Sequence, residues 1–246
     1  MEDEAIIPSR ITAIMQNDSC LYTLHVLNLT HPLVLRQEVC MVPAKVPDIV
    51  VGRLPLYLRA LTQMSDEGRE ISSSQELGGR LGISSAQIRK DLSQFGEFGK
   101  QGTGYNISFL VGQLRKILKL DRPWDVVLVG AGDLGSAIAN YGGFFDRGFR
   151  IARVYDNDPK KIGTRVGAYT VHDTRTMEAD IKQEQIKVAM LAVPATHAQE
   201  ISEKLAAAGI SAILCYAPTS LSLPDSIQVQ YIDPSLHLQH MTYYIS

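Results

Sequence analysis

The sequence predicts an α/β protein in which a small helical domain precedes a larger domain built around a parallel β-sheet. Between residues 124 and 232, short apolar runs alternate with segments of helical periodicity, which favours a parallel sheet. One of these runs leads directly into a glycine-rich turn. Between residues 45 and 121, apolar residues recur mainly at helical spacing instead.

The stretch from Trp124 to Asp156 has the order strand, glycine turn, helix, strand and acid. The apolar run 126–129 is too short for a core helix and is predicted to be a buried strand. The turn that follows has the sequence Gly130-Ala131-Gly132-Asp133-Leu134-Gly135. Its first glycine allows the tight turn, its second lets the backbone approach a pyrophosphate, and its third lets helix and strand pack closely. Because the N–H groups at the start of the helix also favour phosphate charge, we expect a dinucleotide site.

The acidic residue Asp156, twenty-one residues beyond Gly135, indicates which dinucleotide is bound. A carboxylate at the end of the second strand accepts hydrogen bonds from an adenosine ribose and repels a 2′-phosphate. We therefore expect NAD(H) rather than NADP(H) as the cofactor. A glycine turn in an α/β domain that binds no ligand is the alternative.

Composition and charge exclude several other classes of protein. Apolar residues make up 45% of the chain, and no apolar run approaches the ~18 residues that span a bilayer. The start Met-Glu-Asp-Glu lacks the basic character of a signal peptide, so we expect a cytoplasmic protein without a membrane partner. The three cysteines are widely spaced without a CxxC motif, which indicates no metal site. Residues 45–122 carry a net charge of +4 and the remainder −6, so the basic part is expected to contact a polyanion.

Residues 1–44 contain apolar patches without a sustained period, and we find no motif in them. We expect weak order in this extension. Two interpretations stay open: a translation start placed too early, since Met41 directly precedes the first well-patterned segment, or an additional regulatory arm.

Three helices are predicted between residues 49 and 95, in the basic part of the chain. Apolar spacing predicts a helix over 49–64, in which Pro55 marks either a start or a kink. Two capping boxes, 73–76 and 84–87, begin the two short helices that follow. The link between them, 81–83, has the length and glycine content of a helix-turn-helix.

The second of these short helices is predicted to present a cationic face. Ile88, Leu92 and Phe95 lie at i, i+4 and i+7 and are expected to face the core. The opposite face carries hydrogen-bonding and basic side chains, namely Ser85, Arg89, Lys90, Ser93 and Gln94. Such a helix suits a DNA major groove, with Arg89 on a guanine edge and Lys90 on a phosphate. A solvated helix face is the alternative for either basic residue taken alone.

The segment 95–105 alternates glycines with aromatic residues, which predicts a two-stranded ribbon with a tight turn. Lys100 at its tip is placed to reach a phosphate or the minor groove. A helix-turn-helix followed by such a ribbon is a winged helix, so we expect a winged-helix DNA-binding domain over 45–122. A helix over 107–120 leads into the next domain.

The α/β alternation continues after Asp156 and predicts a Rossmann-type domain over 123–232. Its further elements are predicted as strands over 186–194, 210–217 and 227–232 and a helix over 196–208. The final segment, 233–246, is amphipathic and so apolar that it needs a partner surface. That surface is either a second subunit or the chain's own domain.

Six segments match a known family when they are taken in chain order. They are Pro55-Leu56-Tyr57-Leu58-Arg59, Arg89-Lys90-Asp91-Leu92-Ser93, Gly102-Thr103-Gly104-Tyr105, Val129-Gly130-Ala131-Gly132-Asp133-Leu134-Gly135, Asp158-Pro159-Lys160-Lys161-Ile162-Gly163 and Val193-Pro194-Ala195. The set resembles the Rex redox-sensing transcriptional repressors over residues 45–246 and leaves out 1–44. The resemblance implies a homodimer that binds palindromic operator DNA, holds NAD(H), and exchanges its C-terminal helix, 233–246, between subunits. Such proteins bind operators when free or carrying NAD⁺ and release them on binding NADH.

The resemblance also implies roles for individual residues. DNA contacts are expected from Ser85, Arg89, Lys90, Ser93, Lys100 and Gln101. Cofactor contacts are expected from Gly130, Ala131, Gly132, Asp133, Leu134, Gly135, Asp156, Lys161, Val193, Pro194 and Tyr141. The polar contacts of Arg59, Tyr141 and Asp233, the switch residues, are expected to change with redox state. Gln94 and Gln101 depart from the family's usual Tyr and Arg, and the missing cation at 101 predicts a shallower salt dependence of DNA binding.

Two other functions stay open on the residues alone. An NAD-dependent oxidoreductase with an accessory helical domain needs a general acid or base near the nicotinamide, for which His197 is the candidate. A CoA-binding or scaffold module would use the same glycine turn without requiring a winged helix. We expect a regulator rather than an enzyme, because the region after the Rossmann strands is too short for a substrate domain.

Overall fold

The computed structural model describes residues 12–16, 19–23, 46–100 and 103–245. The chain divides into two compact units, and the boundary along the chain falls between Asn106 and Ile107. In the predicted extension 1–44 the structure describes a hairpin, in which β1 (Thr12–Gln16) pairs antiparallel with β2 (Ser19–Thr23). The expectation of weak order for the rest of the extension lies outside the described residues. The predicted domain limits 45–122, 123–232 and 233–246 stay predictions.

The first unit contains a helix-turn-helix. Its helices are α1 (Asp48–Val51), α2 (Leu54–Asp66), α3 (Ser74–Leu81) and α4 (Ser85–Ser93). Pro55 stands in the first turn of α2, so it marks a helix start and not a kink. The hydroxyls of Ser73 and Ser84 accept hydrogen bonds of 3.1 and 3.2 Å from the N–H three residues later, which confirms both predicted caps. Gly82 ends α3 in the left-handed region, with φ +68°, and allows the turn between α3 and α4.

A small antiparallel sheet completes the winged helix. Its strands are β3 (Ile71–Ser72), β4 (Gly99–Lys100) and β5 (Gly104–Asn106), in the order β3-β5-β4. The prediction of two strands over 95–105 is confirmed in β4 and β5, and β3 adds a third strand that the sequence pattern did not reveal. Gly104 is required where β5 meets β3, because its φ is +79° and a Cβ there would lie 2.5 Å from the Ser72 carbonyl oxygen.

The second unit is a doubly wound α/β domain. Its elements are α5 (Ile107–Ile117), β6 (Trp124–Val129), α6 (Asp133–Ala139), a 3₁₀ helix (Gly142–Arg147), β7 (Phe149–Asp156), β8 (Arg165–Val166), β9 (Tyr169–Asp173), α7 (Met177–Glu184), β10 (Val188–Leu191), α8 (Ala195–Ala208), β11 (Ala212–Cys215), β12 (Gln228–Tyr231) and α9 (Pro234–Thr242). The sheet order is β12-β11-β10-β6-β7-β9-β8, and every pairing is parallel except β8 with β9. The predicted parallel sheet is therefore confirmed, whereas β8 and β9 were not predicted.

The central strand β6 supplies the cores on both faces of this sheet. Because side chains alternate along a strand, Val126 and Leu128 enter one apolar cluster while Val127 and Val129 enter the other. Strand order reverses between β6 and β10, so a crevice forms beyond the carboxyl ends of these two strands. The crevice is where the glycine turn lies.

The C-terminal segment forms helix α9 without burying its apolar side chains. These side chains are between 59 and 84% exposed in the single chain, and they belong to Leu236, Leu238, Met241, Tyr243, Tyr244 and Ile245. The apolar side chains of α9 and the residues after it therefore do not pack on the chain's own domain. This favours the other predicted alternative, a surface on a second subunit. No helix within residues 46–100 or 103–245 has both the length and the apolar character needed to cross a membrane.

Candidate functional site

The three glycines of the turn between β6 and α6 meet different surroundings. Gly130 has φ +99°, and a Cβ there would lie 2.3 Å from the carbonyl oxygen of Ala192, the residue that follows the neighbouring strand β10. A Cβ on Gly135 would lie 1.8 Å from the Gly130 carbonyl oxygen. Gly132, in contrast, has no atom within 4 Å of an added Cβ. Packing thus requires the outer two glycines, while Gly132 leaves open space over the backbone, as a bound pyrophosphate needs.

Asp156, at the end of β7, is only 7% exposed and lies against this turn. Its Oδ2 accepts hydrogen bonds from the Ala131 N–H at 2.8 Å and from Lys161 Nζ at 3.2 Å, and its Oδ1 accepts one from the Asp158 N–H at 2.9 Å. Burial alone would raise the pKa of this carboxyl, but the backbone N–H groups and the Lys161 ammonium outweigh burial and lower the pKa. Asp156 is therefore ionised, and Oδ1 keeps acceptor capacity for a ribose hydroxyl.

A cavity of about 340 Å³ lies at the crevice beyond β6 and β10. Most of the predicted cofactor residues either line this cavity or belong to the glycine turn between β6 and α6. Those that line the cavity are Gly130, Gly132, Asp156, Lys161, Val193 and Pro194. Asp133 and Leu134 are exposed on α6. His197 also lines the cavity, in the first turn of α8, where it is exposed to solvent.

The switch residues have separate surroundings in the single chain. Tyr141 is half exposed and lines a second cavity of about 270 Å³, where its hydroxyl accepts a hydrogen bond of 2.5 Å from Arg147 Nη1. Asp233 caps α9, accepting hydrogen bonds at Oδ1 from the Ser235 hydroxyl at 2.6 Å and the Ser235 N–H at 2.9 Å, which lower the pKa of the Asp233 carboxyl. Arg59 is exposed on α2, in the first unit. The structure therefore leaves all three polar groups reachable from solvent, and their switching role stays a prediction.

The exposed face of α4 carries the predicted DNA contacts. Arg89, Lys90 and Ser93 are exposed and Ser85 is partly buried. Arg89 donates a hydrogen bond of 2.9 Å to the Ser74 hydroxyl on α3 and lines a cleft of about 950 Å³ between α4 and the wing. Gln101 and the side chain of Lys100 lie outside the described residues.

The structure adds one charged residue of α4 that the sequence reasoning missed. Asp91 is fully buried and accepts hydrogen bonds from Arg53, Tyr57 and Gln87. Burial alone would raise the pKa of Asp91, but these three donors outweigh it and lower the pKa, so the residue is ionised inside the helical core. A signal was present in the sequence: Asp91 follows Ile88 by three residues and thus falls on the core-facing stripe of the helix.

The described residues contain no group of three or more His, Cys, Asp or Glu side chains that would hold a metal ion. Cys215 is buried at the end of β11, and burial raises the pKa of its thiol.

Two family models match the chain, one in each part. Residues 45–93 match a model described as a putative DNA-binding protein N-terminus, and residues 121–219 match a CoA-binding domain. The redox-sensing transcriptional repressor Rex of Roseiflexus sp. is 52% identical over 200 residues, which covers 81% of this chain and 91% of that protein. Rex of Streptomyces coelicolor is 42% identical over 199 residues, covering 81% of this chain and 77% of that protein.

Solved structures give the same match at the level of the fold. The structure of RSP in complex with β-NAD⁺ and operator DNA has a TM-score of 0.78 and 36% identity, and covers 82% of this chain and 93% of that chain. The structure of RSP in complex with β-NADH has a TM-score of 0.75 and 34% identity, covering 82% and 95%. RSP is described as a Rex-family repressor.

Proposed function

Because the chain belongs to the Rex family of redox-sensing transcriptional repressors, we propose that it binds operator DNA when free or carrying NAD⁺ and releases the DNA when NADH binds. The observation that carries this proposal is the 52% identity to a Rex repressor across 200 residues of both units. The protein is a regulator that reads the NADH/NAD⁺ ratio, and not an enzyme. We infer that it acts as a homodimer in the cytoplasm, with the exposed apolar face of α9 covered by the partner subunit.

The second unit binds NAD(H) in the crevice beyond β6 and β10. Gly132 leaves room over the turn for the pyrophosphate, and the start of α6 favours its charge. The ionised carboxylate of Asp156 accepts from the adenosine ribose and disfavours a 2′-phosphate, while Lys161 holds Asp156 in place. Val193 and Pro194 form the apolar wall of the cavity. The remaining residues of the turn, Ala131, Asp133, Leu134 and Gly135, are also assigned to cofactor binding, and Tyr141 is assigned to the nicotinamide end.

The first unit binds the operator through α4 and the wing. Arg89 pairs with a base edge in the major groove, and Lys90 neutralises a phosphate. Ser85 and Ser93 add hydrogen bonds from the same helix face, and the wing residues Lys100 and Gln101 approach the backbone or the minor groove. A palindromic operator matches the two-fold symmetry of a dimer.

The switch follows from the charge difference between the two cofactor forms. The oxidised nicotinamide ring is a cation and the reduced ring is neutral, so the bound cofactor supplies a signal of one charge. We propose that the polar contacts of Asp233, Arg59 and Tyr141 change with the charge of the bound ring, because a carboxylate such as Asp233 favours a nearby cation. A sensor shifts its conformational equilibrium only by the difference in binding free energy, and a change from 1:99 to 99:1 requires about a 10⁴-fold difference in affinity.

A gel-shift experiment tests this proposal. The probe is the DNA upstream of the protein's own gene, with unrelated DNA as competitor, and NADH, NAD⁺ or NADPH is added at equal concentration. We expect retention of the probe with NAD⁺ and release with NADH alone. Retention of the probe at saturating NADH would overturn the proposal, and turnover of NAD⁺ with alcohols or hydroxy acids would favour the oxidoreductase alternative through His197.

A further inference from the structure

The buried carboxylate on α4 has every acceptor position filled. Arg53 Nε and the Tyr57 hydroxyl donate to Asp91 Oδ2, each at 2.6 Å. Arg53 Nη2 donates to Oδ1 at 2.8 Å, and Gln87 Nε2 donates to the same oxygen at 2.6 Å. We call these four residues the Asp91 clamp. A carboxylate offers about four acceptor positions, so the clamp fixes Asp91 in both position and rotation.

The clamp joins two particular helices. Asp91 and Gln87 lie on α4, whereas Arg53 directly precedes α2 and Tyr57 lies one turn further along that helix. Successive helical residues are about 100° apart, so residues two positions apart point to opposite faces. Arg59 therefore lies on the face of α2 opposite Tyr57, and Arg89 lies on the face of α4 opposite Asp91. Both basic residues are exposed, while Tyr57 and Asp91 are fully buried.

Asp91 is fully buried and the Arg53 side chain is 19% exposed, and an ion pair so largely buried is poorly explained as a contribution to stability alone. Replacing such a pair by packed apolar residues is often neutral or stabilising, whereas separating the two charges is costly. Since separation is costly, α2 and α4 move together rather than slide past each other. The clamp thus makes the face that carries Arg59 and the face that carries Arg89 two sides of one rigid body.

We propose that Asp91 is a positioning residue that transmits the redox-dependent movement of α2 to the DNA-reading helix α4 through Arg53 and Tyr57. This inference rests on the proposed function, because it requires NADH to act on DNA binding through Arg59. Burial and the bond to Asp91 raise the pKa of Tyr57, so its hydroxyl stays protonated and keeps donating. The clamp is a direct polar contact between α2 and α4, and it fixes the position of one helix relative to the other.

The experiment measures a coupling factor in the full-length protein. This factor is the operator dissociation constant at saturating NADH divided by the constant without cofactor. Tyr57→Phe removes one donor and keeps the ring, and Asp91→Asn removes the charge and keeps the shape. The matched control is Glu67→Gln, because Arg80 also forms a two-bond ion pair with Glu67 in the same unit, at 2.8 and 2.5 Å, but on the exposed surface. Thermal unfolding establishes which variants are folded, and Tyr57→Phe keeps the test valid if Asp91→Asn unfolds.

We expect the coupling factor to fall about tenfold in the clamp variants and to stay at the wild-type value in Glu67→Gln. NADH affinity without DNA should be unchanged, and NADH affinity on DNA should change by the same factor, because coupling is reciprocal. A folded clamp variant with reduced stability and a wild-type coupling factor would overturn the inference, since the clamp would then be structural only. A wild-type coupling factor near one would instead refute the proposed function itself.

Discussion

Gly132→Ala is the substitution that separates cofactor binding from folding. An added Cβ at this position meets no atom within 4 Å, and the backbone, at φ −76° and ψ −166°, suits alanine. Alanine is a poorer helix N-cap than glycine by roughly 0.5–1 kcal/mol, and it restricts the unfolded chain by a similar amount, about 0.4–1 kcal/mol. These two effects oppose each other, so the free energy of unfolding should change by less than about 1 kcal/mol.

The same methyl group should weaken NADH binding strongly. It would occupy the open space through which the turn's N–H groups approach a pyrophosphate. Losing one hydrogen bond to a charged group costs about 1.5–3 kcal/mol, which corresponds to roughly 10- to 150-fold weaker binding. Titration followed by the fluorescence of bound NADH measures this loss directly.

Two other glycines provide the controls for this prediction. Gly79→Ala also places its Cβ in open space, but on α3 in the other unit, so NADH affinity should be unchanged. Gly135→Ala would bring its Cβ to 1.8 Å from the Gly130 carbonyl oxygen, so it should destabilise the domain itself. If Gly132→Ala bound NADH with wild-type affinity, the pyrophosphate would not lie over this turn and the reasoning would be refuted.

Three further predictions concern charged residues. Asp156→Asn should weaken NADH binding and reduce the preference for NADH over NADPH, because the charge that repels a 2′-phosphate is lost. Parallel titrations with the two nucleotides measure this preference, and an unchanged ratio of affinities would contradict the prediction. Arg89→Ala should lose about 1–3 kcal/mol of the free-energy difference between cognate and mutated operators. Lys90→Ala should instead weaken binding to all sequences and reduce the slope of log affinity against log salt concentration by about one. Fluorescence anisotropy on cognate and mutated operators at several salt concentrations distinguishes the two effects. The pKa of Asp91 is lowered in the folded protein, so its stabilisation is present above about pH 4 and is lost as pH falls through the folded value. Acid unfolding of the wild type should therefore be steeper than that of Asp91→Asn, and equal acid profiles would show that Asp91 contributes nothing.

Local signals in the sequence predicted most of the elements that carry the site. The hydroxyls of Ser73 and Ser84 cap their helices because a cap depends only on residues within one turn. The turn from Gly130 to Gly135 was predicted for the same reason, since its strand, glycines and helix are contiguous in the chain. The alternation of apolar runs with helical segments was then sufficient to predict that the sheet is parallel.

Contacts between distant residues were not predictable in this way. The Asp91 clamp joins residues separated by 34 and 38 positions, and a single sequence gives no pairing information at that distance. Strand β3 has two residues and is defined by pairing with β5, so no periodicity could reveal it. Tyr141 was expected among the cofactor contacts, but it lines a different cavity from the one beside the glycine turn, so its contact with the cofactor stays a prediction.

Operator occupancy measured during an NADH titration at fixed, saturating NAD⁺ tests the central claim most directly. Each NADH concentration sets a cofactor ratio, and operator binding is followed by fluorescence anisotropy with the purified full-length protein. We predict that the operator is released as the ratio rises, and that a higher fixed NAD⁺ concentration shifts the release midpoint to higher NADH. Equal operator affinity with NADH and with NAD⁺ at saturation would contradict the account.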